Sequence, residues 1–106
     1  MPFRKRWYPF MEWAIAAVPD APGAYELGDR NREILCIGST STSLREILRR
    51  LYQNKMPDAT RFRFEITQEA RAAKPMERVH LRRFRQRYGR PPRYQHAVQR
   101  ASQPGS

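Results

Sequence analysis

Two short β-prone runs, residues 23–28 and 33–38, constrain this chain more than any other feature. Between them lies Gly28-Asp29-Arg30-Asn31-Arg32. This is turn chemistry, because glycine tolerates positive φ and Asp and Asn side chains hydrogen-bond back to their own backbone. Run, turn and run together predict an antiparallel hairpin. The next segment of chain predicts the hairpin's cover. Gly38-Ser39-Thr40-Ser41-Thr42 is a small, polar loop, and Ser43 with Glu46 three residues on matches a capping box, so a helix starts there. Leu44, Ile47, Leu48 and Leu51 fall at i, i+3, i+4 and i+7, an apolar stripe with Arg45, Arg49 and Arg50 away from it. That helix is expected to end near Asn54, before Pro57.

The alternation in Arg61-Phe62-Arg63-Phe64-Glu65-Ile66 predicts a half-buried strand with Phe62, Phe64 and Ile66 inward. Residues 68–88 read as helix, kinked or restarted at Pro75, which lacks a backbone donor. Met76, Val79, His80, Phe84 and Tyr88 form its expected inner side, and Gly89 its stop. Pro91 to Gln95 is expected to run extended. Ahead of the hairpin, residues 10–18 suit a short helix with Phe10, Trp13, Ala14 and Ala17 on one face, broken by Pro19-Asp20-Ala21-Pro22. The expected order is α-β-β-α-β-α. This is an α/β (α+β) domain, a small three-stranded antiparallel sheet flanked by helices, over residues 20–95. A basic, aromatic extension (1–19) precedes it and a polar tail (96–106) completes the chain.

Charge narrows the partners. The 106 residues, one small domain, carry 21 Lys+Arg against 10 Asp+Glu, a formal net charge of +11. Ten of those cations and only two Glu lie from Gln68 onward. Arg71, Lys74, Arg78, Arg82 and Arg85 are spaced to form one stripe along a helix face. A solvated face usually mixes signs, and this one hardly does. Guanidinium groups pair with phosphate in bidentate geometry, so the stripe points to nucleic acid, DNA or RNA, and sets affinity rather than sequence preference. Arg4-Lys5-Arg6-Trp7-Tyr8 either stacks on unpaired bases or packs on the domain. One cysteine makes no internal disulfide. The apolar run at Trp13–Val18 is too short for a signal peptide or a membrane span, so a cytoplasmic protein with no membrane partner is expected.

Gly23-Ala24-Tyr25 on the first strand, Cys36-Ile37-Gly38 on the second, the Ser/Thr loop, the arginine-bearing helix, Glu77 and Pro92-Arg93-Tyr94 occur in one order. In that order they resemble a GIY-YIG nuclease domain over about residues 20–95. Gly23 and Tyr25 match its first motif and Gly38 its second. The resemblance implies phosphodiester hydrolysis with a divalent metal, Mg²⁺ or Mn²⁺, on Glu77. It also implies an arginine neutralising the phosphoryl oxygens and a tyrosine helping to activate the nucleophile. The chain departs from the pattern at four positions. Cys36 stands where the family has its second tyrosine, Ile47 where it has the arginine, Leu51 where it has His or Tyr, and Gln95 where it has Asn. Arg45 or Arg49 would have to replace the missing arginine.

A carboxylate oxygen suits either metal. Alternatively, Glu77 is a surface residue ion-paired with its arginine neighbours. Tyr25 is either a substrate-facing phenol or an ordinary strand tyrosine. Cys36, with no His or acid beside it in sequence, reads as a buried structural thiol. Losing one electrostatic partner commonly costs about 10²–10³ in rate. The expectation is therefore a nucleic-acid-binding GIY-YIG-like domain with weak or lost nuclease activity. The alternatives are an active metal-dependent endonuclease built on Tyr25, Glu77 and Arg45 or Arg49, and a ribonucleoprotein or protein-assembly module.

Overall fold

The structure is a computed structural model and describes residues 6–95. The polar tail and the basic residues Arg4 and Lys5 lie outside the described residues. Strand β1 (Tyr8–Pro9) and helix α1 (Glu12–Ala16) precede the hairpin of β2 (Gly23–Gly28) and β3 (Ile34–Thr40). Helix α2 (Leu44–Gln53), strand β4 (Arg61–Ile66), a 3-10 turn (Ala70–Ala72) and helix α3 (Ala73–Tyr88) come after it. Among the described residues the fold is a mixed α/β one with four strands in one antiparallel sheet, ordered β1-β4-β2-β3, and three α-helices. The expected three strands gain a fourth, because Tyr8 pairs with Phe62 and Pro9 with Arg61. Two residues have no periodicity to read, and proline is tolerated at a sheet edge because its missing N–H costs no interior ladder bond.

The hairpin turn obeys its chemistry. The Asp29 carboxylate accepts from the N–H of Asn31 (2.8 Å) and of Glu33 (2.9 Å), and Arg32 takes the left-handed φ of 66°. The Ser43 hydroxyl accepts from the Glu46 N–H at 3.2 Å and starts α2. Leu44, Ile47, Leu48 and Leu51 are all buried. They meet Tyr25, Leu27, Cys36 and Phe62 on one face of the sheet, with Phe10, Ala14, Ile15, Val18 and Met56 completing this core. The segment expected outside the domain thus supplies a strand and four core side chains.

Helix α3 packs on β2 and β3 from the other face. Side chains alternate along a strand, so Glu26 and Ser39 point away from the core that holds Tyr25 and Cys36. Pro75 falls in the first turn of α3, where its missing N–H breaks no bond, and the helix starts at Ala73 after the 3-10 turn rather than at 68. Gly89 ends it with φ 72° and its N–H on the Arg85 carbonyl at 2.8 Å.

Several facing expectations are corrected. On α1, Ile15 is buried while Trp13 is 69% exposed and Ala17 is exposed. A five-residue helix packs too few residues for periodicity to choose its inner side. Ile66 is exposed because β4 ends there. On α3 the buried residues are Ala73, Glu77, His80 and Phe84, whereas Val79 and Tyr88 are exposed and Met76 is half-buried. The inner line runs at i, i+4, i+7 and i+11 from Ala73, through the acidic and small positions that hydropathy discounts.

Residues 93–94 form a turn rather than running extended. The turn lays the chain on the outer edge of β3. The Tyr94 N–H donates to the Leu35 carbonyl at 2.9 Å. The Gln95 side-chain amide grips Ile37 twice, its Oε1 accepting from the Ile37 N–H (3.1 Å) and its Nε2 donating to the Ile37 carbonyl (2.6 Å). Gln95 thus covers backbone groups that an edge strand would otherwise expose.

Candidate functional site

A cleft of about 520 Å³ opens at one end of the sheet. The loop Ser39–Ser43 forms one side, Glu46, Ile47 and Arg50 of α2 a second, and Ala70, Arg71, Ala73 and Lys74 the third. The loop is there because β3 ends at Thr40, whose hydroxyl accepts from the N–H of Thr42 (3.2 Å) and of Ser43 (3.3 Å) and so turns the chain into α2. The start of α3 is there because Glu77, one turn in, accepts a hydrogen bond from the Ser39 hydroxyl at 2.7 Å. That bond joins β3 to α3 behind the cleft wall that Ser39 and Lys74 form. The other Glu77 oxygen meets Lys74 Nζ at 3.1 Å.

The structure separates the residues expected to do chemistry. Tyr25 is fully buried among Leu44, Ile47 and Leu48, on the opposite face of the sheet from Ser39 and Glu77, and is no substrate-facing phenol. Cys36 is fully buried on Tyr25's side, its Sγ 3.9 Å from Met56 Sδ, and burial pushes its thiol pKa up. It is a structural thiol, as the absence of a neighbouring base suggests. Gly38 pairs with Tyr25 in the hairpin register, and Gly23 lies between β3 and β4. The Arg45 guanidinium donates to the Val18 carbonyl at 2.9 Å, tying α2 to the end of the α1 segment. Arg49 pairs with Glu46 at 2.6 Å. Neither lines the cleft. The arginine of α2 that does is Arg50. Its signal in sequence was its place on the helix face shared with Glu46 and Ile47, at i+4 and i+3.

The arginine stripe divides into two groups. Arg71 and Lys74 belong to the cleft. Arg78, Arg82 and Arg85 line a shallow groove of about 490 Å³ along α3, with Leu81 and Gln86. Among the described residues, no carboxylate lies within the 4.0 Å ion-pair distance of these three arginines.

Beneath α3 the sheet carries buried charge. Glu26 pairs with Arg63 at 2.6 Å, and burial raises the Glu26 pKa against the lowering by Arg63. The guanidinium of Arg63 also lies 4.3 Å from the centre of the Trp7 ring, so Trp7 packs on the domain. Tyr8 does the same, tilted on Phe62 and stacked on Phe64. His80 is buried on the inner side of α3. Burial, with the charges of Arg83 and Arg63, lowers its pKa to about 4, so it is neutral at physiological pH and serves as a core residue.

As the side chains stand, Glu77 has no oxygen to spare for a resident Mg²⁺ or Mn²⁺. Glu77 is buried behind Ser39 and Lys74 of the cleft wall, and its two oxygens are taken by their hydroxyl and ammonium. Glu46 is held by Arg49 and Glu69 by Arg71. Among the described residues, no three His, Cys, Asp or Glu side chains converge where a metal could sit. Lys74 supplies beside Glu77 the positive charge a divalent ion would bring.

A small antiparallel sheet with helices on both faces, carrying a cationic cleft at one end, defines the class of molecule. The chain belongs to the family described as Domain of unknown function (DUF7508), whose model matches residues 1–83. That span includes every residue of the cleft. No curated protein matches the chain. Among the described residues, no helix is long and apolar enough to cross a membrane.

Proposed function

We propose that this chain binds nucleic acid along the positive face made by the cleft and the outer side of α3. In this reading it is a GIY-YIG-like domain whose phosphodiester hydrolysis is weak or lost. One observation carries the binding reading: Arg78, Arg82 and Arg85 share a groove without a carboxylate partner among the described residues, on the helix that also carries Lys74 and follows directly on the 3-10 turn of Arg71 at the cleft. Cations arranged this way gain affinity by releasing counterions from phosphates. If all five contact phosphate, the logarithm of the binding constant falls with the logarithm of salt with a slope of about −4.5 on duplex, or about −3.5 on single strands. A gel-shift series over salt measures it. Absence of any shift at low salt would sink the proposal.

A divalent-metal-dependent endonuclease is the second reading, and it draws on one observation, the buried carboxylate of Glu77 next to Ser39 and Lys74 of the cleft. The same residue separates the two. As part of a binding surface, Glu77→Gln removes a negative charge and releases Lys74, so affinity for an oligonucleotide rises by a few-fold. As a metal ligand, Glu77→Gln abolishes Mg²⁺- or Mn²⁺-dependent nicking of a supercoiled plasmid. Wild-type nicking that disappears in the variant would establish the enzyme reading and overturn lost catalysis.

A further inference from the structure

We infer that the cleft is a pocket for the terminal phosphate of a strand, a phosphomonoester, with the rest of the strand led away along α3. This rests on the nucleic-acid reading and adds which part of the polymer enters. At about 520 Å³ the cleft holds one nucleotide-sized group. A duplex, whose major groove alone is about 12 Å wide, is too large to enter. Among the described residues no aromatic side chain lines the cleft, so its described walls offer no platform on which a base could stack. What it offers is charge and hydroxyls.

Arg50 approaches from α2, Arg71 from the 3-10 turn and Lys74 from the first turn of α3. Among the described residues lining the cleft, the one carboxylate is Glu46, which Arg49 holds at 2.6 Å. Arg71 is tied only by an exposed pair with Glu69, while Lys74 keeps one contact with the buried Glu77 and has an otherwise exposed ammonium. The side chain of Arg71 is 86% exposed and that of Lys74 61%, so the Arg71 pair exchanges readily for a phosphate and Lys74 can meet one without leaving Glu77. A phosphodiester within a strand brings one negative charge. A terminal phosphate carries about −1.5 to −2 with three strong acceptor oxygens, and three cations, from α2, the 3-10 turn and α3, match that geometry. From Lys74 to Arg85, α3 advances roughly 16 Å at about 1.5 Å per residue. A strand held by its end in the cleft therefore meets Arg78, Arg82 and Arg85 in turn.

The test uses the whole chain and one single-stranded oligonucleotide in three forms: 5′-phosphorylated, 3′-phosphorylated and with hydroxyls at both ends. Fluorescence anisotropy is expected to show one phosphorylated form binding about tenfold more tightly than the hydroxyl form. Arg50→Gln and Lys74→Gln should each erase that preference. Arg82→Gln should weaken all three forms alike. Binding that ignores the end overturns the terminal-phosphate pocket and leaves the nucleic-acid reading standing. Failure of all three forms to bind overturns both. A nucleoside monophosphate that competes as well as the phosphorylated strand assigns the cleft to free nucleotides and overturns the strand-end assignment.

Discussion

Gly23→Ala is expected to destabilise the protein by about 3 kcal/mol or more, the upper end of what overpacking costs. For a domain of this size that lowers the Tm by roughly 10–20 °C. Gly23 opens β2 and pairs with Thr40 on one side and Ile66 on the other. A Cβ there would fall onto the carbonyl oxygen of Glu65 and come within 2.7 Å of Leu44 Cδ1. The first obstacle is backbone in the neighbouring strand and the second is a fully buried side chain, so neither yields without opening the sheet or displacing α2. Gly28→Ala is the control. The added methyl meets the far end of the Trp7 ring at 2.9 Å, and a half-buried side chain near the chain start can turn aside. Thermal unfolding of the two variants side by side separates a glycine required by close strand approach from one that is not. Equal Tm values would refute the packing account of Gly23.

Replacing Arg78, Arg82 and Arg85 together with glutamine is expected to weaken nucleic-acid binding by about 10²–10³ at 0.1 M salt. The salt slope on duplex should become shallower by about 2.7. All three are exposed and have no carboxylate partner among the described residues, so the fold does not depend on them. An unchanged Tm with lost affinity locates the effect at the surface. If affinity and slope both stay as in the wild type, α3 is not the binding face.

Local chemistry was readable from the sequence. The hairpin, the Ser43 cap, the α2 stripe and the Gly89 stop each depend on residues within a few positions of one another, and each stands in the structure. Which way elements face once they meet could not be read. Tyr25 fits its motif in sequence, yet its strand register turns it into the α2 core while Ser39, one step off in the opposite strand, turns toward Glu77. That contact spans 38 residues of chain, and no local pattern encodes it. Arg50 went unselected for the same reason. Three arginines lie on the polar side of α2, and only the docking of α3 determines which one borders the cleft. The Arg45 bond to the Val18 carbonyl likewise depends on where α1 lands.

The Gln95 amide bears on how this fold can be cut. The family match ends at residue 83, but Phe84, the Gly89 stop and the clasp on Ile37 all lie beyond it. A fragment trimmed to the matched span would keep the whole cleft and lose what seals the outer rim of the sheet. Freed N–H and C=O groups on β3 would then invite a second chain to pair with them. The trimmed piece would associate with itself, so the twelve residues from Phe84 to Gln95 belong to the folding unit although they lie outside the matched span.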